Sequence, residues 1–167
     1  MFCQISCLPY LLVLHLDVYR LKGDIELLPF PKLQKLEQLT IRVVELDDGV
    51  LALTSLVEAC PNLQRLIMKL SCFREGKTNR EVRQMAKKLH QRLEVVEIGE
   101  YHGGTSDFEL AMYFIQNCVA LKKLVIKPLM NFGLATNEMM EEKNGAIYRA
   151  QQQLEPRMPD GVELVIL

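Results

Sequence analysis

An α/β solenoid is the predicted fold, with a parallel strand from each repeat on one face and helices on the other. Two observations predict it. The first is an apolar phrase that returns five times, as Leu11-x-x-Leu14-x-Leu16, Leu36-x-x-Leu39-x-Ile41, Leu63-x-x-Leu66-x-Met68, Leu93-x-x-Val96-x-Ile98 and Leu121-x-x-Leu124-x-Ile126. The copies begin at residues 11, 36, 63, 93 and 121, at intervals of 25, 27, 30 and 28. A period of roughly 20–29 residues with this spacing is the leucine-rich-repeat pattern, whose units stack because none buries its apolar face alone. The second observation is helical patterning in the returns between phrases. Together they predict a single domain over residues 1–167, with about five repeats and a C-terminal capping strand.

Taken in order, the apolar opening from Cys7 to Leu16 has no basic residue before it and no small-residue cleavage site after it. It is also too short to span a bilayer, and it reads as the first strand. Helical returns are expected over Gly49 to Cys60, Asn79 to Gln91, Asp107 to Cys118 and Asn137 to Leu154. Thr78-x-x-Glu81 and Ser106-x-x-Glu109 have the form of capping boxes, which satisfy orphan backbone donors at a helix start. Val82, Met85, Ala86 and Leu89 share one helical face, as do Leu110, Phe114, Ile115 and Cys118. Cys60 and Cys118 each close a helix three residues before a phrase begins, where a small apolar thiol suits a tight corner. Pro159-Asp160-Gly161 signals a turn, and Val162 to Ile166 alternates like a last strand. Met1-Phe2-Cys3 leads straight into a repeat without a polar cap, so a fragment of a longer protein is expected.

Composition narrows the function classes. A net charge of −1 and a pI near 6.3 argue against nucleic acid or an anionic membrane as the main partner. Cys3, Cys7, Cys60, Cys72 and Cys118 are odd in number and form no C-x-x-C pair, which suggests reduced thiols in an intracellular protein of the cytoplasm or nucleus. A basic run from Lys69 to Arg92 holds one aromatic residue, Phe73, and reads as a solvated helix face rather than a base-stacking surface. His102-Gly103-Gly104 has the form of an oxyanion turn, but no G-x-S-x-G elbow accompanies it. The glycines fit a strand-to-helix turn instead. His15, His90 and His102 show no metal-ligand spacing, and the pairs Asp47-Asp48 and Glu141-Glu142 read as solvated. No enzyme activity, cofactor or metal is expected.

If the phrase leucines point inward, the residues between them form three outward rows on the concave face. These are His15, Thr40, Ile67, Glu97 and Val125; then Asp17, Arg42, Lys69, Gly99 and Lys127; then Val13, Gln38, Arg65, Val95 and Lys123. The candidate protein-binding surface is His15, Asp17, Arg42, Arg65, Ile67, Lys69, Glu97, Lys123, Val125 and Lys127, a basic patch with apolar residues beside it.

Three blocks carry a family resemblance: Leu56-Val-Glu-Ala-Cys60-Pro-Asn-Leu63-Gln-Arg-Leu66, Leu93-Glu-Val-Val96-Glu-Ile98-Gly99-Glu-Tyr101-His-Gly103-Gly104 and Glu109-Leu-Ala-Met-Tyr-Phe114-Ile-Gln-Asn117. With the tail from Pro159 to Leu167, they resemble the C-terminal LRR and FBD-type region of plant F-box/LRR proteins. The resemblance implies a protein-interaction scaffold, the substrate-recognition part of an SCF-type ubiquitin ligase, acting on an unidentified target protein. In that family an F-box docks on a Skp1-like adaptor. No F-box precedes Leu11, so the adaptor is expected only if one lies upstream. The alternative is a truncated gene product without an F-box, inactive or competing for targets. The position usually held by Asn or Cys after each strand is here Tyr19, Val44, Ser71, Tyr101 and Leu129, so the solenoid is expected to be irregular.

Overall fold

A computed structural model of the chain describes residues 10–19, 32–44, 50–70, 89–128 and 137–167. Six parallel strands form one sheet whose order follows the chain. They are β1 (Val13–Val18), β2 (Gln38–Val43), β3 (Arg65–Leu70), β4 (Val95–Tyr101), β5 (Lys123–Pro128) and β6 (Glu163–Ile166). Each of the first five starts two residues into a phrase. The opening leucines Leu36, Leu63, Leu93 and Leu121 therefore sit just ahead of their strands and are buried.

Pairing runs in register across the sheet except at the end of β4, where the ladder with β5 shifts between Gly99 and Tyr101. Leu14, Leu39, Leu66, Val96, Leu124 and Leu164 form one row, and Leu16, Ile41, Met68, Ile98, Ile126 and Ile166 form the next. Because side chains alternate along a strand, both rows point to the same face and build the core. The repeats also dock by one recurring backbone contact. The carbonyl of Leu12 accepts from the amides of Glu37 and Gln38, that of Glu37 from Gln64 and Arg65, and that of Gln64 from Glu94 and Val95. Glu94 does the same for Lys122 and Lys123. Asn62 adds a side-chain link, donating to the Gln34 carbonyl of the preceding repeat.

Among the described residues, three helices add to the core: α1 (Val50–Glu58), α2 (Thr105–Asn117) and α3 (Asn137–Leu154). In α1, Leu53, Leu56 and Val57 are buried. Leu110, Phe114, Ile115 and Cys118 are buried as their spacing predicts. Ala146, Ala150 and Leu154 give the otherwise polar α3 a stripe four residues apart. A 3-10 turn at Glu155–Arg157 follows, then a turn with Gly161 at φ +81°, a left-handed conformation that glycine adopts without strain.

Several expectations need correction. The return expected over Asn79 to Gln91 lies largely outside the described residues, with Val82, Met85 and Ala86 and the Thr78–Glu81 capping box. Its described end, Leu89 to Gln91, is not helical, and Leu89 is exposed rather than inward. There His90 makes a parallel bridge with Cys118, whose neighbours Asn117 and Val119 take up its amide and carbonyl. That backbone pairing replaces the helical ladder. The helix expected from Asp107 starts at Thr105, with Gly104 as its N-cap and no side-chain cap, so Ser106 is not the capping residue.

Burial is uneven along the sheet. Leu66 and Leu124 are fully buried, whereas Leu14, Leu16 and Val18 of β1 are only half-buried, and Tyr10, Leu12, Val13 and Tyr19 around them are exposed. Truncation should follow this gradient. Leu66→Ala is expected to cost roughly 2–5 kcal/mol, the range for a fully buried leucine. Leu14→Ala should cost less than half as much. Urea unfolding of the two variants measures the difference.

Candidate functional site

The face opposite the core carries the candidate surface. The three outward rows are those read from the repeats: His15 pairs with Thr40, Ile67, Glu97 and Val125 in succession, and Asp17 with Arg42, Lys69, Gly99 and Lys127. Val13, Gln38, Arg65, Val95 and Lys123 form the third. All ten candidate residues thus share one face.

They do not share one environment. Over β4 to β6 the charges cancel. Lys127 Nζ lies 2.6 Å from a Glu97 carboxylate oxygen, and Lys123 Nζ lies 3.1 Å from Glu163. Just ahead of the strands, Lys122 and Glu94 pair at 2.8 Å. Glu97 and Val125, expected in solvent, are buried. Each stands mid-row, flanked by strands on both sides, and the paired Lys127 ammonium compensates the buried carboxylate. Over β2 and β3 the picture differs. Arg42, Arg65 and Lys69 are exposed, and among the described residues none of them has an ion-pair partner. Between them lie half-buried Thr40 and Ile67. The Lys69 stem runs beside Gly99, where an added Cβ would stand 3.4 Å from its Cγ. At the β1 end, His15 and Asp17 are exposed.

The turn from β4 into α2 forms a second constellation. Glu100 has φ +62° and the pairing with β5 shifts register between Gly99 and Tyr101. The amides of His102, Gly103 and Gly104 then all donate to one Asp107 oxygen, at 2.9, 3.0 and 3.3 Å. The donors that gave His102-Gly103-Gly104 its oxyanion-turn appearance are therefore occupied by the chain's own carboxylate. Burial pushes the Asp107 carboxyl above the usual range, and the three amides act against that shift. From α3, Arg149 Nε donates to the His102 carbonyl at 2.8 Å and Gln153 Nε2 to the Gly103 carbonyl at 3.1 Å. Gln153 also accepts from the Tyr101 hydroxyl at 2.8 Å, so the tyrosine in the usual Asn slot ties its strand to α3. Gly103 has φ +80°, and a Cβ there would meet the Arg149 Cβ at 2.8 Å. Glu142, expected in solvent, has an oxygen 3.7 Å from His102 Nδ1.

A third group joins α1, α2 and the segment before β4. His90 Nε2 lies 2.9 Å from the Tyr113 hydroxyl, which donates to Glu58 at 3.4 Å. Burial lowers the His90 pKa from its ordinary 6.5, with Glu58 opposing. Sequence spacing did not reveal this group, because its members come from three separate returns. Nearby, Cys60 and Cys118 are free and buried, and burial pushes both thiols up to about 12. Cys3, Cys7, Cys72, Phe73, Asp47, Asp48 and the basic run between Ser71 and Lys88 lie outside the described residues. Among the described residues no group of three His, Cys, Asp or Glu is placed to hold a metal, and no helix is long and apolar enough to cross a membrane.

Residues 81–126 match the FBD family. That stretch takes in β4, the Asp107-clamped turn, α2 and the start of β5. An F-box/FBD/LRR-repeat protein of Arabidopsis thaliana is 31% identical over 124 residues, which is 74% of this chain and 27% of the relative. The chain carries an FBD/LRR-type region of the plant kind. An FBD-associated F-box protein of the same plant is 33% identical over 75 residues, and a further F-box/FBD/LRR-repeat protein is 35% identical over 75. Each of those two matches covers 44% of this chain and 16% of the relative, so the chain spans about a quarter or less of the length of these curated relatives. No solved structure matches. The exposed cations Arg42, Arg65 and Lys69 lie outside the FBD stretch, on the strands before it.

Two outcomes are expected from these contacts. Asp107→Asn turns an amide group toward three N–H donors and should cost roughly 2–4 kcal/mol, read by chemical denaturation. His90 binds its proton more weakly folded than unfolded, so stability is full above 6.5 and falls as pH drops from there through the lowered value. His90→Gln should flatten that decline, seen by comparing unfolding midpoints at about pH 7.5 and about pH 5.5.

Proposed function

We propose that the chain is a protein-interaction scaffold: a single, irregular leucine-rich-repeat and FBD solenoid of about five repeats and a closing strand. In this reading it serves as the target-recognition part of an SCF-type ubiquitin ligase, in the cytoplasm or nucleus. The observation that carries it is the open face over β2 and β3. Exposed cations without ion-pair partners among the described residues stand there beside half-buried apolar side chains, a mixture suited to gripping a protein surface. The relatives' names place F-box, FBD and repeat regions together in longer proteins, which supports recognition as this region's task. A Skp1-like adaptor enters through an F-box elsewhere in such a protein. The free, buried thiols Cys60 and Cys118 support a reducing compartment.

Affinity purification from plant cells tests the reading, with the chain compared against Arg42→Glu, Arg65→Glu, Lys69→Glu. A defined partner held by the chain and lost in this variant is the expected outcome. All three side chains are exposed, so the variant should keep the circular dichroism and unfolding midpoint of the parent. A folded variant that retains every partner would remove the open face from the reading.

A further inference from the structure

We propose that the open face over β2 and β3 binds an extended acidic peptide segment that carries two carboxylates four residues apart and an apolar side chain midway. The proposal rests on the scaffold reading above and gives the partner its chemistry. The chain as a whole has one more acidic than basic residue, with 21 against 20, so a basic sheet face is not a by-product of a basic protein. The basic residues on β5 are already neutralised, Lys127 by Glu97 and Lys123 by Glu163. Arg42, Arg65 and Lys69 are exposed and, among the described residues, have no such counter-charge. In register with Arg42 stands Asp17, but no ion pair joins the two.

Spacing sets the motif. Arg65 and Lys69 lie on the same face of β3 four residues apart, about 13 Å at the rise of a strand. Ile67 lies midway between them and is half-buried. Arg42 is the register partner of Lys69, so two cations stand side by side at one end of the stretch and a single arginine at the other. An extended peptide laid along β3 repeats the same alternation. A carboxylate at position i meets one end, an apolar residue at i+2 rests on Ile67 and Thr40, and a carboxylate at i+4 meets the other. The paired Arg42 and Lys69 give the more strongly held carboxylate, since two charge-assisted hydrogen bonds converge there.

The test uses the full 167-residue chain and a fluorescein-labelled peptide with two glutamates four residues apart and a leucine midway, followed by anisotropy. Saturable binding that weakens with added salt is expected. Lys69→Glu and Arg65→Glu should each weaken it by roughly tenfold or more, while Lys122→Gln, whose ammonium pairs with Glu94 ahead of the strands, should leave it unchanged. A peptide with its glutamates moved to adjacent positions should also bind roughly tenfold more weakly. No binding by the folded chain overturns the proposal, as does binding indifferent to both charge reversals or to glutamate spacing. If the peptide fails while a cellular partner is still lost in the triple charge-reversal variant, the scaffold reading stands and only the acidic motif falls. If neither peptide nor partner depends on these residues, both fall together.

Discussion

Parallel pairing from β1 to β6, in step through both apolar rows, sets the position of everything else in this molecule. Side chains alternate along each strand, so a shift of one residue in any strand would send its leucines to solvent and its arginines into the core. The phrase holds the register through the leucine ahead of each strand and the two within it. The recurring carbonyl contacts from Leu12, Glu37, Gln64 and Glu94 hold it again at the start of the next strand. Core rows and outward rows are therefore two readings of one constraint. The surface over β2 and β3 exists at its present spacing because the apolar face behind it tolerates no other.

Where the sheet departs from regularity, charge and glycine take over from apolar packing. Glu100 adopts a left-handed backbone and β4 loses step with β5 just before the chain enters α2. Asp107 gathers three successive amides, Gly103 supplies the conformation that a side chain would disfavour, and Arg149 and Gln153 hold the exposed carbonyls from α3. The turn is thereby closed from inside by α2 and from outside by α3. Its residues fall within the FBD match up to Asp107, while Arg149 and Gln153 lie beyond it. The packing unit thus extends further along the chain than the family match does.

Much of this was legible in the sequence, because the strongest signal was periodic. Five repeats of Leu-x-x-Leu-x-Leu type placed the five strands and sorted their side chains into two faces. Strict alternation after Gly161 located the sixth strand. What escaped depended on contacts between distant residues. Glu97 looks like any outward strand residue until Lys127, 30 positions later, is found against it. Ser106 has the spacing of a helix cap, but Asp107 is the residue whose carboxylate reaches the free amides. Leu89 fits a helical stripe, yet the backbone pairing of His90 with Cys118 ends any helix before it. The His90–Tyr113–Glu58 group had no local signature at all.

The order of the strands also determines how such a chain assembles. Each strand pairs only with its neighbours in sequence, so every ladder in the sheet links consecutive strands, from 25 residues apart between β1 and β2 to 40 between β5 and β6. No closure of a long loop across the whole molecule precedes the first stable ladder. Folding can start where burial is deepest, around β3 to β5, and spread outward one strand at a time. Half-buried β1 then joins last and leaves first, its amides exchanging with solvent while the middle of the sheet stays closed. The molecule behaves less like a sphere with a centre than like a zipper whose teeth engage from the middle.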